Sequence, residues 1–200
     1  MEKQAADPQL LQARVLKNTF CGPDVLEMVL EFPAPVSALP GQYGMFETGR
    51  EFLLRRAFSV GYRIDEKTYA FFIKIRGKAT AGMAVSSLET MNVFFPLGKG
   101  FPAVNGRRVL LIGGGCGVFP LIYLAKELAG DNRVTLLYGV NRDQDLILLD
   151  RFPGLAGVHL YSEQGESGKK GRVTDFFPES LPGVERFDRY YVCGPKPMAR

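Results

Sequence analysis

Residues 109–128 constrain the fold of this chain more than any other stretch. Val109, Leu110, Leu111 and Ile112 are consecutive apolar residues, the pattern of a strand covered on both faces. Gly113, Gly114, Gly115, Cys116 and Gly117 follow at once. Leu121, Leu124, Ala125 and Leu128 then recur at helical spacing, with Gly130 as the stop. A strand that feeds a helix through glycines opens a βαβ unit and so a parallel sheet with right-handed crossovers. Without Cβ atoms, such a turn lets a pyrophosphate approach the backbone N–H groups at the helix N-terminus; the alternative is a plain tight turn. The run departs from G-x-G-x-x-G, because Val118 stands where the third glycine belongs.

The residues after this unit continue the alternation. Val134–Tyr138 reads as the second strand, 144–151 as a short helix and Val158–Tyr161 as the third strand. Residues 173–177 read as a helix start and Tyr190–Val192 as the fourth strand. The first half has a different period. Val15–Phe20 and Val25–Phe32 flank the turn Gly22-Pro23-Asp24, and Pro40-Gly41 introduces a strand over 42–47. Residues 57–64 and 68–75 form a hairpin around Asp65-Glu66-Lys67, and Met91–Phe95 is a strand stopped by Pro96-Leu97-Gly98. Residues 80–88 fit one or two helical turns. The expected architecture is a small antiparallel β-barrel over 1–102 followed by a parallel-sheet α/β domain over 103–200, with Asn105-Gly106 as the natural boundary turn.

Composition removes several function classes. The 200 residues carry a net charge of +4 with no basic cluster, which gives no footing for nucleic acid. Cys21, Cys116 and Cys193 lack metal-ligand spacing, so no zinc or iron–sulfur site is expected from these residues, and so sparse a set suits a reducing, cytoplasmic compartment. His159 is the lone histidine and lies in a strand, where it reads as a packed or capping residue rather than a catalytic one. Residues 1–8 are polar, without a secretory apolar segment. The uncharged run 109–125 is broken by four glycines and Pro120, whereas a bilayer helix wants about 20 mostly apolar residues.

Three further segments bear on chemistry. No Asp or Glu ends the second parallel strand, where Tyr138-Gly139-Val140-Asn141-Arg142 stands. Arg142 is thus either a 2′-phosphate ligand or a solvated loop cation. Cys193-Gly194-Pro195 ends the last strand, at the edge where parallel sheets bind ligands. It reads either as a nicotinamide contact or as a small buried residue before a turn. In the barrel, Arg55-Arg56-Ala57-Phe58-Ser59 places an arginine fork beside an aromatic and a hydroxyl. Gly77-Lys78-Ala79-Thr80 opens the helical stretch, with Thr80 expected at its N-cap.

The order of these segments resembles the ferredoxin–NADP reductase superfamily. Arg-Ala-Phe-Ser is followed by Gly-Lys-Ala-Thr, Pro-Leu-Gly-Lys-Gly-Phe, the glycine loop and Cys-Gly-Pro. Within the superfamily, 54–60, 113–121, 145–150, 171–175 and 191–198 are most similar to the electron-transfer subunits of NAD-linked (class B) dihydroorotate dehydrogenase. The resemblance spans about residues 10–198. It implies that Arg56, Ala57, Phe58 and Ser59 bind FAD, with Ser59 near flavin N5. Ile73, Lys74, Ile75, Ala79 and Thr80 also touch the flavin, and Ala79 stands where relatives usually have Gly. It implies that Gly113, Gly114, Gly115, Gly117, Asn141, Cys193, Gly194 and Pro195 hold NAD, or NADP, with Ser59 and Cys193 at the reacting centre. The implied activity is hydride exchange between NAD(H) and flavin within a hetero-oligomer. The implied partner is a dihydroorotate dehydrogenase catalytic subunit, or another redox subunit of a hydrogenase, transhydrogenase or oxygenase system; a non-catalytic dinucleotide-binding subunit is the alternative from another class. Relatives continue with a helix and a four-cysteine [2Fe-2S] segment. Neither follows here before Arg200, so no cluster is expected on these residues.

Overall fold

The computed structural model describes residues 6–49, 51–84, 88–175 and 186–199. The chain forms two compact units, Met1–Phe101 and Pro102–Arg200.

The first unit is a closed barrel of β1 (Gln9–Phe20), β2 (Val25–Glu31), β3 (Tyr43–Phe46), β4 (Arg56–Arg63), β5 (Thr68–Lys74) and β6 (Thr90–Leu97), in the order β1-β2-β5-β4-β3-β6. Its interior is aromatic. Phe32 stacks on Phe95 at 4.8 Å between centroids, and Tyr69, Phe71 and Phe46 join edge-on. β1 starts well before Val15. Its first half turns only Leu11 and the small Ala13 inward while Leu10 is exposed, a weak apolar signal, and pairing with β6 holds it. β6 likewise runs on through Pro96 to Leu97. A proline offers no N–H to the ladder, and the register with β3 shifts there, between Tyr43 and Met45. Glu27 is fully buried on β2, where its carboxylate accepts from Tyr62 Oη and from Lys17 Nζ, both at 2.5 Å. The helical stretch is the single turn α1 (Lys78–Gly82); Val85, expected on it, lies outside the described residues.

The second unit is a parallel sheet ordered β10-β9-β8-β7-β11. Its strands are β7 (Arg108–Gly114), β8 (Arg133–Val140), β9 (Gly157–Ser162), β10 (Lys169–Lys170) and β11 (Arg189–Cys193). Between β7 and β8 runs α2 (Val118–Leu128), with nine of its eleven residues buried. β10 consists of two exposed lysines and carries no apolar signal. The helix expected over 144–151 does not form. Two 3-10 turns, Asp143–Asp145 and Leu149–Arg151, stand there instead. Leu148 between them sits at φ 64°, a left-handed conformation that no α-helix passes through, with its side chain buried. At 173–177 a 3-10 turn covers Val173–Asp175, and 176–177 lie outside the described residues.

Candidate functional site

In the second unit the chain order reverses between β7 and β11, because β8 and β9 build outward on one side of β7 and β11 returns to the other. Open parallel sheets bind ligands at such a point, outside the carboxyl ends of the strands. The glycine loop leaves β7 there and Cys193-Gly194-Pro195 leaves β11 there, with Cys193 in register with Gly113. The loop's first turn is a 3-10 turn, Gly115–Gly117, which runs straight into α2. No side chain caps α2 and its first turn holds no acidic residue, so the helix dipole offers an anion favourable polarity there, although the Val118 amide already bonds the Gly115 and Cys116 carbonyls and Pro120 has no N–H.

The four glycines divide by what surrounds them. A Cβ on Gly117 would lie 2.0 Å from the Cys193 carbonyl oxygen, and one on Gly114 would lie 2.5 Å from Met198 Sδ and 3.1 Å from Pro195 Cδ. On Gly113 it would meet Val118 at 3.2 Å. These three are small because protein packs on them. Gly115 is different: it has φ +52° and nothing within 4 Å of a Cβ, so it is the open position where a ligand backbone contact fits. Val118, which replaces the third fingerprint glycine, is fully buried against Gly113, so the bare face of one residue accommodates the side chain of the other. Residues present here fit a dinucleotide phosphate.

Around that loop, Cys193 is half-buried, and burial pushes its thiol up, keeping it uncharged at neutral pH. Asn141 is exposed just past the end of β8. Arg142 next to it is a partner of Asp145: Nε donates to Oδ2 at 2.9 Å and Nη2 to Oδ1 at 3.1 Å. The fully buried Tyr138 ring beneath donates its hydroxyl to the Asp145 carbonyl at 2.8 Å, and burial pushes that phenol up. His159 is a half-buried residue of β9. Burial first, and Lys169 second, hold its pKa below the usual imidazole value.

In the barrel unit, Arg56, Ala57, Phe58 and Ser59 open β4, in register with Phe46, Met45, Gly44 and Tyr43 of β3. Paired residues share a face, so Arg56 and Phe58 lie on the Phe46 side while Ala57 and Ser59 lie on the Met45 and Tyr43 side. Phe58 packs edge-on to Phe46 at 5.2 Å, and Ala57 is exposed. Arg56 Nη1 donates to the Leu54 carbonyl at 2.8 Å, which turns the guanidinium toward the exposed Leu53 and Leu54. This edge fits a ligand that runs along the strand rather than one gripped from a single face. Of the β5 residues, the Ile73 side chain is fully buried, so it can meet a ligand only through its main chain. Lys74 Nζ pairs with Asp24 at 3.1 Å, and the Ile75 amide donates to the Asp24 carbonyl at 2.8 Å.

Thr80 is not the N-cap of α1. Gly77 is, and Thr80 is the third helical residue, buried, as is Ala79. Its Oγ1 accepts from the amides of Arg76 (2.9 Å) and Gly77 (3.2 Å) and donates to the Gly77 carbonyl (3.0 Å). The hydroxyl thus ties the turn that leads into α1. One feature gave no sequence signal: a cleft of about 410 Å³ lined by Glu47, Thr48, Glu51, Met83, Thr90 and Asn92. Its residues come from three separated segments, and its two carboxylates make it unsuited to phosphate. Among the described residues no group of three or more His, Cys, Asp or Glu stands close enough to hold a metal. No helix among the described residues is long and apolar enough to cross a membrane.

Comparisons with known proteins agree with this architecture. The family model of the oxidoreductase NAD-binding domain matches residues 111–200. The structure superposes with TM-score 0.79 and 26% identity on an NADH-dependent reduced ferredoxin-NADP oxidoreductase, covering 99% of this chain and 71% of that one. An Amycolatopsis cytochrome P450 reductase gives the same TM-score and identity over 96% of this chain and 63% of its own, just under two thirds. Fold and neighbours together define a ferredoxin reductase-like oxidoreductase whose second unit matches a NAD-binding domain. The dihydroorotate dehydrogenase B (NAD(+)) electron transfer subunit of Caldanaerobacter subterraneus subsp. tengcongensis is 34% identical over 191 residues, 95% of this chain and 74% of that protein. This chain belongs to that family of electron transfer subunits.

Proposed function

We propose that this chain holds FAD on its barrel unit and NAD(H) on its parallel-sheet unit, exchanges a hydride between them, and serves a dihydroorotate-oxidising catalytic subunit as its electron-transfer partner. The observation that carries the reading is the meeting of the glycine loop and Cys193-Gly194-Pro195 at one switch point, beside an uncapped helix N-terminus. Family membership supports the flavin half. When bound, FAD supplies a centre that takes two electrons as hydride and releases them singly.

The chain's own residues bind and orient. Gly114 and Gly117 draw the β7 loop onto the β11 terminus and Gly113 seats Val118, which leaves the Gly115 region and the positive end of α2 to the dinucleotide phosphates. Cys193, Gly194 and Pro195 form a small, uncharged wall for the nicotinamide, and Asn141 lies at the adenosine side. Along β4, Arg56 supplies the phosphate-facing cation, Phe58 and Ala57 the apolar edge, and Ser59 a hydroxyl toward the flavin ring. The main chain of Ile73, Lys74 and Ile75, with Ala79 and Thr80, completes that edge. No proton-transfer residue is required, in keeping with a single histidine held neutral in a strand. The three free cysteines suit a reducing, cytoplasmic compartment.

The test is spectroscopic. Purified protein should show a bound or bindable flavin, bleached by NADH under anaerobic conditions, and should co-purify with a dihydroorotate-oxidising subunit. A protein that takes up no flavin at all ends the proposal.

A further inference from the structure

Arg142 stands at the end of the second parallel strand, where a dinucleotide-binding sheet distinguishes a ribose 2′-hydroxyl from a 2′-phosphate. Selection for the hydroxyl ordinarily comes from an acidic residue ending that strand. Here β8 ends at Val140 and is followed by Asn141 and Arg142, a sequence that by itself suits a 2′-phosphate. The structure removes that option by another route. The Arg142 fork is already filled by the Asp145 carboxylate, with Nε on Oδ2 at 2.9 Å and Nη2 on Oδ1 at 3.1 Å. This bidentate geometry is the one an arginine uses on phosphate.

The pair is not a loose surface contact. The Asp145 side chain is only 14% exposed, against 48% for Arg142, so the carboxylate is the fixed member. Its backbone is anchored from below by the buried Tyr138 hydroxyl on its carbonyl. The same 3-10 turn is tied to the loop after β9: the Asp143 amide donates to Gln164 Oε1 at 2.9 Å, and Asp143 Oδ1 accepts from the Ser167 amide at 2.6 Å. These ties hold the turn that carries Asp145 in place, so breaking the pair means moving Arg142 alone and leaving Asp145 behind.

We propose that Asp145 is the residue that selects a 2′-hydroxyl nucleotide over a 2′-phosphorylated one, by occupying the Arg142 guanidinium and setting a carboxylate beside it. A 2′-phosphate reaching this edge meets a cation whose charge is already matched and a like charge next to it. A neutral hydroxyl meets no such opposition. The acidic discriminator has thus moved from the strand end to the following turn, and Arg142 acts through Asp145 as its counter-ion. This rests on the reading of the β7–β11 edge as the NAD(H) site.

The experiment measures Kd for NADH, NADPH and adenosine 2′,5′-bisphosphate by titration calorimetry on the purified protein, beside the NADH-to-NADPH ratio of kcat/KM. The wild type should bind NADH at least tenfold more tightly than NADPH. In Asp145→Asn that ratio should fall at least tenfold and adenosine 2′,5′-bisphosphate should gain affinity, whereas Asp145→Glu should keep most of the preference. Adding Arg142→Gln to Asp145→Asn should abolish the gain for the 2′-phosphate, since the freed fork is its source. A wild type that favours NADPH, or a ratio in Asp145→Asn within twofold of wild type, overturns the inference while leaving the nucleotide site intact. The wild-type ratio is measured first, and Asp145→Glu, which should keep most of the preference, and the double variant carry the comparison if Asp145→Asn folds poorly. Failure of the wild type to bind either dinucleotide overturns the site itself.

Discussion

Replacing Gly117 by alanine separates a glycine kept for packing from a glycine kept for a ligand. Gly117 sits at φ −63°, ψ −16°, ordinary helical geometry that alanine prefers by about 1 kcal/mol. Backbone preference alone therefore predicts a gain. The added Cβ, however, would stand 2.0 Å from the Cys193 carbonyl oxygen, 2.4 Å from its carbon and 2.6 Å from the Gly194 nitrogen, where ordinary contact begins at 3.4 Å. All three atoms are backbone, so no side-chain rotation relieves the clash. The end of β11 must retreat from β7 at the Cys193–Gly113 pair. Overpacking of this kind costs about 1–3 kcal/mol, and one or two weakened ladder hydrogen bonds cost about 1 kcal/mol each. Set against the propensity gain, the net loss is about 2 kcal/mol. Native-state hydrogen exchange resolves it, because the amides of β7 and β11 should lose protection by about 30-fold while the barrel amides keep theirs. NADH affinity should fall with it, since the displaced strand end carries Cys193 and Gly194. Unchanged protection at β7 and β11 would refute the packing account and return Gly117 to a purely ligand-facing role.

The other expectations are shorter. Arg56→Ala should lower flavin affinity by about 1.5–3 kcal/mol per lost charge-assisted hydrogen bond, read as flavin content after gel filtration and as residual NADH oxidation; unaltered values would remove Arg56 from the site. Glu27→Ala should destabilise the barrel by about 3 kcal/mol, because the buried carboxylate binds Tyr62 and Lys17 together, and Lys17→Met should cost about as much, because it strands that buried carboxylate without its counter-charge. Thermal melts compare the two. His159, the sole histidine, has a lowered pKa in the folded state, so the stability its neutral form contributes is complete above the unfolded value of 6.5 and falls as pH drops below it. Imidazole proton shifts should titrate below 6.5, and His159→Gln should flatten the acid-side loss of stability. Cys193 has its thiol raised by burial, so iodoacetamide at pH 8 should alkylate it more slowly than a free thiol, and NADH should slow it further.

Much of the fold was written locally. The apolar run Val109–Ile112, the helical spacing of 121–128 and the hairpin around Asp65-Glu66-Lys67 each formed in place, because a few neighbouring residues already encode which face is buried. The segments that were misread lack such a code. β1 begins with an exposed Leu10 and few inward apolar residues and is held by β6, β10 is two lysines, and the expected helix at 144–151 is broken where Leu148 turns left-handed to bury its side chain. The candidate site divides in the same way. Its loops were legible as glycines after a strand and as Cys-Gly-Pro at a strand end. Their meeting depends on β11 inserting beside β7, and the roles of Gly114 and Gly117 depend on Met198 and Cys193 arriving from elsewhere in the chain. Spacing alone could only leave Arg142 open between phosphate ligand and solvated cation. Its partner Asp145 lies three residues away, but the buried Tyr138 ring and the β9–β10 loop hold the turn that aims that carboxylate. Alternation and breaker residues are properties of short stretches, and so the amino-acid order determined the elements. Charge pairing and close backbone approach are properties of surfaces that meet only after folding, and so the tertiary structure alone decided what the site admits.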